Sequence, residues 1–376
     1  MTQSSTPSNS AAVLGAAYAD LEVRPVEYRH PGPGELVIRN RAIAVNPLDA
    51  VKQGTGSMMY GWLPYPTVLG EDVAGEVVEI GAGVTRFAIG DRAFAYAVGM
   101  EKGRDPVAEG GFQQYTVVRE ILTAPIPADL SFEQAAVLPL AVSTAASALF
   151  QTDQLGLRHP TVSAVRTGQT VVVWGGSTSV GSNAIQLAVA AGYDVVTTAS
   201  PRNHDRMRRL GASRVFDYAS PTAVRDIVAA LKSEVVVAVF AIGTGSAEPG
   251  VALAIATGAK RVALASPSVS LDGIPRRPGI NRQFVRVIAT LVSRTMALMV
   301  RSRLRGIRTK FVWGSTLMTN EVGPMLWGEF LPTALAEGRY VAAPSAEVVG
   351  TALGDIQGAL DSLRGGVSAK KLVITL

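Results

Sequence analysis

Residues 171–200 read VVVWGGSTSVGSNAIQLAVAAGYDVVTTAS, and this stretch decides the fold. An apolar run at 171–174 leads into a turn of small residues. Apolar residues then recur at helical spacing up to Gly192, and a β-branched run follows at 195–198. The pattern predicts strand, glycine turn, helix and strand within about thirty residues. This arrangement holds a dinucleotide pyrophosphate at a helix N-terminus, where backbone N–H groups point at the phosphates.

The predicted phosphate-binding turn departs from the usual G-x-G-x-x-G spacing. Ser177 takes the place of the middle glycine, and one extra residue lengthens the turn. The strand and helix on either side still favour a nucleotide site over an ordinary buried turn. We predict that the whole turn contacts the cofactor, through Gly175, Gly176, Ser177, Thr178, Ser179, Val180 and Gly181.

The end of the second strand predicts which nucleotide is bound. Enzymes that use NAD place an acidic residue there for the ribose 2′-hydroxyl, whereas cations and hydroxyls hold the 2′-phosphate of NADP. Here the strand leads to Ser200 and Arg202, and the nearby acid, Asp194, precedes the strand. We therefore predict NADPH, bound by Ser200 and Arg202. Alternatively, Arg202 is a solvated charge that begins the next helix.

Length and composition indicate a globular protein of two domains. The chain has 376 residues, 48% of them hydrophobic, and no cysteine, which excludes disulfides and thiolate metal sites. Residues 1–10 are polar and lack the apolar run of a signal peptide, so we predict a disordered tail and a cytoplasmic protein. The three histidines lie in polar or proline-rich loops, which predicts solvated side chains and no histidine-based triad.

The order of strand-like and helix-like segments predicts an α/β fold. Short strand-like segments separated by turns fill the first part of the chain, and residues 35–44 alternate most clearly. Strand and helix then alternate from residue 171 to residue 265. We expect a β-rich catalytic domain at 11–141 and 315–376, and a doubly wound parallel sheet at 142–314.

Several blocks of the sequence together resemble the medium-chain dehydrogenase/reductase superfamily over essentially the whole chain. They include AVNPLD, VLGEDVAGEVVEIGAGVTRFAIGDR, LPLAVSTAASALF, VWGGSTSVGSNAIQLA and VSAKKLVITL. The chain is most similar to the branch of zinc-free quinone oxidoreductases and trans-acting enoyl reductases, ToxD-like proteins among them. The resemblance implies a GroES-like catalytic domain interrupted by a Rossmann NADPH-binding domain, with the active site in the cleft between them.

Zinc-dependent members of this superfamily hold a catalytic metal with two cysteines and a histidine. The blocks align those three places with Asn46, Glu71 and Leu140, which cannot make the usual nitrogen and sulfur site. We therefore predict no metal. Without a Lewis acid, hydride reduction of an activated C=C bond is favoured over oxidation of a simple alcohol, because it requires mainly alignment and hydrogen-bond donors.

The predicted function is NADPH-dependent reduction of an α,β-unsaturated carbonyl compound. The substrate is either a free enone or quinone or a carrier-bound enoyl thioester. A dehydrogenase or reductase of alcohols or aldehydes is an alternative enzyme. A non-catalytic NADPH-binding sensor or partner is an alternative of a different class.

Three side chains are candidate catalytic residues. The resemblance implies that Asn46 contacts the nicotinamide ribose or the substrate carbonyl. It also implies that the hydroxyl of Thr144, in the pair Ser143-Thr144, lies close to the nicotinamide. Alternatively, Asn46 caps a turn before a proline, and Thr144 is a small hydroxyl at a helix start. Tyr65 is a candidate proton donor from the loop that follows, and aromatic packing is the alternative for it. Lys52 is another possible proton donor in this region, and a solvated side chain is the alternative for it.

Two further residues complete the predicted cofactor site. The resemblance implies that Tyr218 contacts the adenosine phosphate, whereas a tyrosine at a strand end is also ordinary packing. Ile242, which follows the apolar strand predicted at 235–240, is the other predicted cofactor contact.

A basic segment at about 276–308 departs from close relatives in the superfamily, which have a short loop there. Residues 281–308 (NRQFVRVIATLVSRTMALMVRSRLRGIR) contain no acid, and at about 100° per residue most of the arginines lie on one side of a helix, or of two helices with a break. Three interpretations of the basic helix are open. It packs on its own protein or on a dimer mate, with a solvated basic face. Alternatively, it docks an acidic carrier protein or substrate, or it attaches to a membrane surface.

Two of the conceivable partners of this segment are disfavoured. The arginines interrupt the apolar run too often for a good membrane span. Attachment to a membrane surface ranks below packing on the protein and below docking of an acidic carrier. Nucleic-acid binding ranks last, because no recognition fold accompanies the charge. The resemblance implies a monomer or homodimer.

Overall fold

The computed structural model describes residues 7–267, 269, 276 and 282–376. Residues 7–140, 276 and 327–376 form one compact unit, and residues 141–267, 269 and 282–326 form a second. The domain bounds that the sequence places at 141 and 315 stay predictions. The first strand begins at Asn9, inside the segment 1–10 for which a tail is predicted, and residues 1–6 lie outside the described residues.

The strands and α-helices are numbered in chain order. The strands are β1 (Asn9–Leu14), β2 (Leu21–Val26), β3 (Glu35–Ala44), β4 (Thr67–Val68), β5 (Asp72–Ile80), β6 (Arg92–Tyr96), β7 (Tyr115–Arg119), β8 (Thr123–Pro125), β9 (Gln169–Trp174), β10 (Asp194–Thr198), β11 (Arg214–Phe216), β12 (Val235–Ala241), β13 (Arg261–Leu264), β14 (Arg308–Phe311), β15 (Ser345–Gly350) and β16 (Lys370–Thr375). The α-helices are α1 (Pro47–Thr55), α2 (Pro106–Glu109), α3 (Phe132–Ala135), α4 (Pro139–Phe150), α5 (Ser179–Ala190), α6 (His204–Arg209), α7 (Ala223–Ala230), α8 (Ala247–Thr257), α9 (Arg282–Leu304), α10 (Leu331–Ala336) and α11 (Ile356–Arg364). A π-helical segment, Pro324–Phe330, leads into α10.

The first unit is built around the long strand β3. Its main sheet runs in the order β15-β16-β3-β5-β6-β8, and β7 also pairs with β3; β2, β1 and β4 form a smaller sheet. Strand β3 pairs antiparallel with β5, β7 and β16. Ile38, Val73 and Val118 from these strands share one buried apolar cluster. The C-terminal strand β16 is thereby held next to residues from the start of the chain.

The second unit is a doubly wound α/β domain, as the sequence predicts. Its six-stranded sheet has the order β11-β10-β9-β12-β13-β14, and each neighbouring pair is parallel. The central strand β12 is apolar along its whole length, and β9 carries an apolar run at 171–174, because helices cover both faces of a parallel sheet. Val172, Val196 and Val239 pack in one cluster with Ile227 of α7 and Val251 of α8.

Two local patterns predict something other than the structure, and a third prediction left two alternatives open. The Asn-Pro pair in residues 45–49 predicts a loop entry, but the chain enters α1 at Pro47, since proline suits the first position of a helix. Residues 133–150 read as one helix in sequence, but the structure divides them into α3 and α4, and α4 begins at Pro139, which cannot continue a preceding helix. The basic segment forms the unbroken helix α9, and residues 277–281 lie outside the described residues.

Candidate functional site

The glycine turn predicted to bind the pyrophosphate lies between β9 and α5. Gly175 has a φ of +91°, and its N–H donates to Thr198 Oγ1 at 3.0 Å. Thr178 caps α5, and its Oγ1 accepts from the N–H of Gly181 at 3.0 Å. The first N–H groups of a helix have no acceptor within the helix, so those of Ser179 and Val180 are suited to bind an anion.

Close contacts exclude side chains at the three glycines of this turn. A Cβ at Gly181 would lie 2.2 Å from the carbonyl oxygen of Gly175, and a Cβ at Gly176 would lie 2.2 Å from Thr197 Oγ1. A Cβ at Gly175 itself would lie 2.3 Å from the carbonyl oxygen of Ile242. The backbone is therefore without side chains at these three positions, and the turn fits the pyrophosphate of a dinucleotide.

The end of β10 carries the predicted contacts to the nucleotide's 2′ position. Arg202 is exposed, and Ser200 Oγ accepts a hydrogen bond from Asn203 Nδ2 at 3.0 Å. Asp194 lies at the opposite end of the strand and pairs with Arg166 at 2.7 Å. The carboxyl end of β10 thus offers a hydroxyl and a cation, and the acid is held elsewhere.

The remaining predicted cofactor contacts lie at the same edge of the sheet. Tyr218, which is 52% exposed, follows β11, the parallel neighbour of β10. Ile242 follows β12, and its N–H donates to the carbonyl oxygen of Trp174 at the end of β9 at 3.0 Å. The carboxyl edge of four neighbouring parallel strands therefore gathers the predicted contacts of this unit, where doubly wound folds bind their ligands.

Thr144 lies in α4, next to the segment that follows β14. A Cβ at Gly314 would lie only 2.8 Å from Thr144 Oγ1. Ser143 is fully buried, and its hydroxyl has no hydrogen-bond partner within the described part of the chain. Ser147, one turn further, bonds to the carbonyl oxygen of Trp313 at 3.1 Å. This face of α4 is a row of hydroxyls, and an unsatisfied buried hydroxyl suits an unseen ligand or water.

Asn46, the first unit's predicted catalytic residue, belongs to a buried cluster with Asp72 and Lys371. Asn46 Nδ2 donates to Asp72 Oδ2 at 2.9 Å, and Lys371 Nζ donates to Asn46 Oδ1. Lys371 Nζ also lies 2.7 Å from Asp72 Oδ2. The other carboxylate oxygen, Asp72 Oδ1, accepts the N–H of Leu140 at 2.6 Å. The oxygen and the nitrogen of the Asn46 amide are both bonded within this cluster, and its contact with cofactor or substrate stays a prediction.

Asp49 anchors the backbone around this cluster. Its Oδ2 accepts the N–H of Asn46 at 2.9 Å, and its Oδ1 accepts the N–H of Gly70 at 3.0 Å. Burial raises the pKa of Asp49 to about 7. The side chain fixes the start of α1 against the entry to β5.

Glu71 is a buried acid with one oxygen available. Tyr96 donates its hydroxyl to Glu71 Oε1 at 3.3 Å, while Oε2 has no partner among the described residues. Burial raises the pKa of Glu71 well above its usual range, so this carboxyl keeps its proton further into the neutral range than a solvated one. The structure describes no group of three or more His, Asp or Glu side chains arranged to hold a metal.

Lys52 is buried, so the alternative of a solvated lysine is wrong. Its Nζ donates to the carbonyl oxygens of Gly56, Met59 and Tyr60 at 3.0, 3.3 and 3.2 Å. These carbonyls follow the end of α1 and take up all three ammonium protons. Burial lowers the pKa of Lys52 to about 8, and Nζ lies 5.0 Å from the ring centroid of Tyr65. Tyr65 is half-buried, and burial raises the pKa of its hydroxyl.

One histidine also differs from the prediction of solvated side chains. His204 is half-buried, and its Nε2 bonds to the carbonyl oxygen of Ala199 at 3.1 Å. His30 and His159 are exposed as predicted. No described contact joins a histidine to a nucleophile and an acid together.

Lys371 is the residue of this cluster that the sequence analysis missed. The alternation of β16 places Lys370 outside, paired with Glu347 at 2.9 Å, and Lys371 inside. A lysine followed directly by the apolar strand residues Leu372, Val373 and Ile374 was the available signal, because a lysine buried in such a strand needs a counter-charge. The choice of Asp72 as that counter-charge depends on the pairing of β16 with β3 and of β3 with β5.

Comparisons with known proteins agree with this fold along the whole chain. Residues 32–128 match the alcohol dehydrogenase GroES-like domain. The chain is 47% identical to dehydrogenase pigH of Monascus ruber over 373 residues, covering 98% of this chain and 100% of that protein. It is 38% identical to trans-enoyl reductase himH of Aspergillus japonicus, covering 95% and 94%. An alcohol dehydrogenase superfamily protein from Novosphingobium aromaticivorans has a similar structure, with a TM-score of 0.70, 25% identity and coverage of 98% and 99%.

Proposed function

The chain belongs to the medium-chain dehydrogenase/reductase superfamily of oxidoreductases, which bind a nicotinamide cofactor, and from this we propose that it uses NADPH to reduce the C=C bond of an α,β-unsaturated carbonyl compound. A relative named as a trans-enoyl reductase supports an enone, quinone or enoyl thioester as the substrate. We place the reaction in the cytoplasm, since a chain without cysteine needs no oxidising compartment.

The Asn46 cluster is the observation that carries this proposal. Asn46, Glu71 and Leu140 stand where zinc-dependent members of the superfamily hold their metal, and both heteroatoms of the Asn46 amide are bonded to Asp72 and Lys371. An amide engaged in this way and an aliphatic side chain do not fit the usual zinc ligand set. Reduction of a conjugated C=C bond suits such a site, because the carbonyl group already activates the β-carbon for hydride.

The choice of NADPH follows from the end of β10. Ser200 and the exposed Arg202 can bind a 2′-phosphate, whereas Asp194 is the first residue of β10, at the far end of the strand, where it pairs with Arg166. A carboxylate beside Ser200 would repel that phosphate and accept the ribose hydroxyl of NAD instead. None of the residues from Val195 to His204 is acidic.

Each unit would contribute to the reaction through its own residues. Bound NADPH supplies hydride chemistry: two electrons and one hydrogen pass to the β-carbon, and a proton added at the α-carbon completes the product. The glycine turn before α5 would hold the pyrophosphate. Thr144 would donate a hydrogen bond near the reacting groups. Tyr65 and the partly unsatisfied Glu71 are the two side chains from which we expect the proton.

Cofactor titration tests the nucleotide assignment. We expect purified protein to bind NADPH more tightly than NADH, and Arg202→Glu to weaken NADPH binding roughly 10- to 100-fold. Arg209→Glu makes the same charge change at another exposed position of this segment and serves as the matched control. Equal affinity for both nucleotides, or equal losses in the two variants, contradicts the role of Arg202.

Turnover tests the reaction. We expect NADPH oxidation with 2-cyclohexenone, 1,4-benzoquinone or a 2-octenoyl thioester, and no reduction of NADP with ethanol. Tyr65→Phe and Glu71→Gln then distinguish the two proton donors by which variant loses kcat. A protein that binds NADPH tightly and consumes none with any of these acceptors is a sensor, and the proposal of an enone reductase fails.

A further inference from the structure

Helix α9 is an apolar helix that the rest of the chain leaves largely uncovered. Its apolar 18-residue window is only 6% buried, whereas the apolar window of the segment Phe132–Phe150, which contains α3 and α4, is 72% buried. Leu298 and Ser302 are the residues of α9 that are buried. The expectation that the arginines interrupt the run too often for a good membrane span stays a prediction, although α9 is long and apolar enough by length and composition.

The helix has three distinct faces when its residues are placed at about 100° intervals. The buried Leu298 and Ser302 and the half-buried Leu291 mark the side that packs on the protein. The next side is an apolar stripe whose members are between 36% and 58% exposed: Val285, Val292, Met296, Met299 and Val300. The exposed Arg303 interrupts this stripe near the C-terminal end of the helix. The third side is an arginine row, all exposed: Arg282, Arg286, Arg294 and Arg301.

The charge of α9 is uncompensated along its length. Residues 282–308 contain arginines and no acid, and the described contacts of the arginine row include no ion pair. An apolar stripe beside a row of cations is the pattern of a helix that lies in a membrane interface, with its apolar side chains among the acyl chains and its cations at anionic head groups. Arg294 lies in the middle of the helix, which favours a helix lying along the surface over one that crosses it.

We propose that α9 binds the surface of an anionic lipid bilayer through the apolar stripe and the arginine row. A second copy of this chain fits less well. When two antiparallel copies of α9 pack stripe to stripe about a two-fold axis, the same flank of each helix meets, and arginines face arginines with no acid between them. A protein partner also fits less well, because the stripe offers no exposed tryptophan or tyrosine to act as an anchor.

Vesicle binding of the full chain tests this proposal. We expect the protein to sediment with vesicles of phosphatidylcholine containing 30% phosphatidylserine, and not with vesicles of phosphatidylcholine alone. The triple variant Arg286→Gln, Arg294→Gln, Arg301→Gln should lower the partition coefficient roughly 100-fold. Val285→Gln with Val292→Gln and Met296→Gln should weaken binding to the anionic vesicles at unchanged charge.

The matched control removes three arginines elsewhere on the same unit. Arg158→Gln, Arg166→Gln and Arg225→Gln change exposed side chains outside α9 and alter the net charge equally. Far-UV circular dichroism and thermal unfolding verify that each variant is folded. Binding that is equal in the control and the arginine-row variant overturns the proposal, as does failure of the wild type to sediment with anionic vesicles.

Two other results also overturn it and identify the occupant instead. A dimer in analytical ultracentrifugation that dissociates in the Val285, Val292 and Met296 variant assigns the stripe to a second copy. Retention by an immobilised acidic acyl carrier protein, lost in the arginine-row variant and without any vesicle binding, assigns the helix to a carrier. None of these measurements depends on the catalytic activity.

Discussion

Lys371 Nζ lies 2.7 Å from Asp72 Oδ2, and the two side chains are only 4% and 0% exposed. The lysine comes from the last strand of the chain, and the carboxylate from the first residue of β5. Desolvation of both charges is compensated by this contact, by Asn46 and by the N–H of Leu140. The pair joins the C-terminal strand to the candidate site of the first unit.

Removal of one charge from this pair should destabilise the protein strongly. We expect Lys371→Ala to lower the free energy of unfolding by about 3–5 kcal/mol, because Asp72 is left buried without a cation. Lys370→Ala, next to it, removes only an exposed pair with Glu347 and should cost less than about 1 kcal/mol. Urea unfolding of both variants measures the difference, and similar losses would show that the buried pair contributes little.

Glu71 predicts a pH dependence of stability with a definite sign. Its folded pKa is raised, so above the unfolded value of about 4.3 the unfolded chain loses a proton that the native state keeps, and stability falls with rising pH. The Glu71→Gln variant has no carboxyl group at this position, so its stability does not fall with rising pH for this reason. Its stability relative to the wild type should increase above pH 4.3 by at most about 1.4 kcal/mol per pH unit. Unfolding measured from pH 4 to pH 8 checks the trend.

Glu76 is the matched control with the opposite sign. Its hydrogen bond to Arg39 holds the pKa of Glu76 below the usual range. The stabilisation is present above the unfolded pKa and is lost as pH falls through the folded pKa. Glu76→Gln should therefore be less stable than the wild type at pH 7 by no more than about 1 kcal/mol, and equal to it in acid. The same slope in both variants would refute the assignment of the shifts.

Gly181→Ala should impair nucleotide binding. The added Cβ lies 2.2 Å from the carbonyl oxygen of Gly175, so the turn must open and its N–H groups must move. We expect the Kd for NADPH to rise roughly tenfold or more, which corresponds to at least 1.4 kcal/mol. Gly358→Ala in α11 is the control, since nothing lies within 4 Å of its Cβ and alanine favours a helix by about 0.5–1 kcal/mol. Unchanged cofactor affinity in Gly181→Ala speaks against this turn as the pyrophosphate site.

Thr144→Val tests the hydroxyl of α4. If Thr144 donates a hydrogen bond near the reacting groups, the variant should lose roughly 10- to 100-fold in kcat while Thr144→Ser keeps most of it. Valine has nearly the shape of threonine, so the melting temperature should change little. A loss of melting temperature that parallels the loss of kcat would indicate a packing role instead.

The parts of this fold that could be predicted from sequence are those set by local spacing. The strand, turn and helix around Gly175 follow from a change of period within a few residues, and the structure has them in place. The periodicity of α9 likewise predicts a helix. Its exposure could not be predicted, because burial depends on which distant segments pack against it.

The candidate site of the first unit depends on contacts that local spacing does not contain. Lys52 looks like a solvated lysine in sequence, yet three carbonyls after α1 surround its ammonium group. Lys371 and Asp72 meet only through the order of β16, β3 and β5. The resemblance to a superfamily identified Asn46 and Glu71 as positions of interest, but not the charges around them.

The placement of β16 has a consequence for the order of events during synthesis. Asn46 and Lys371 are 325 residues apart in sequence, and the whole second unit lies between them. Domains emerging from the ribosome fold as units in N-to-C order, so the nucleotide domain is complete before the last strand exists. Until Lys371 is synthesised, Asp72 has no lysine to pair with, and the β-rich unit is therefore the last to complete its folding. A nascent chain truncated before residue 370 should bind nucleotide while its first unit remains sensitive to protease.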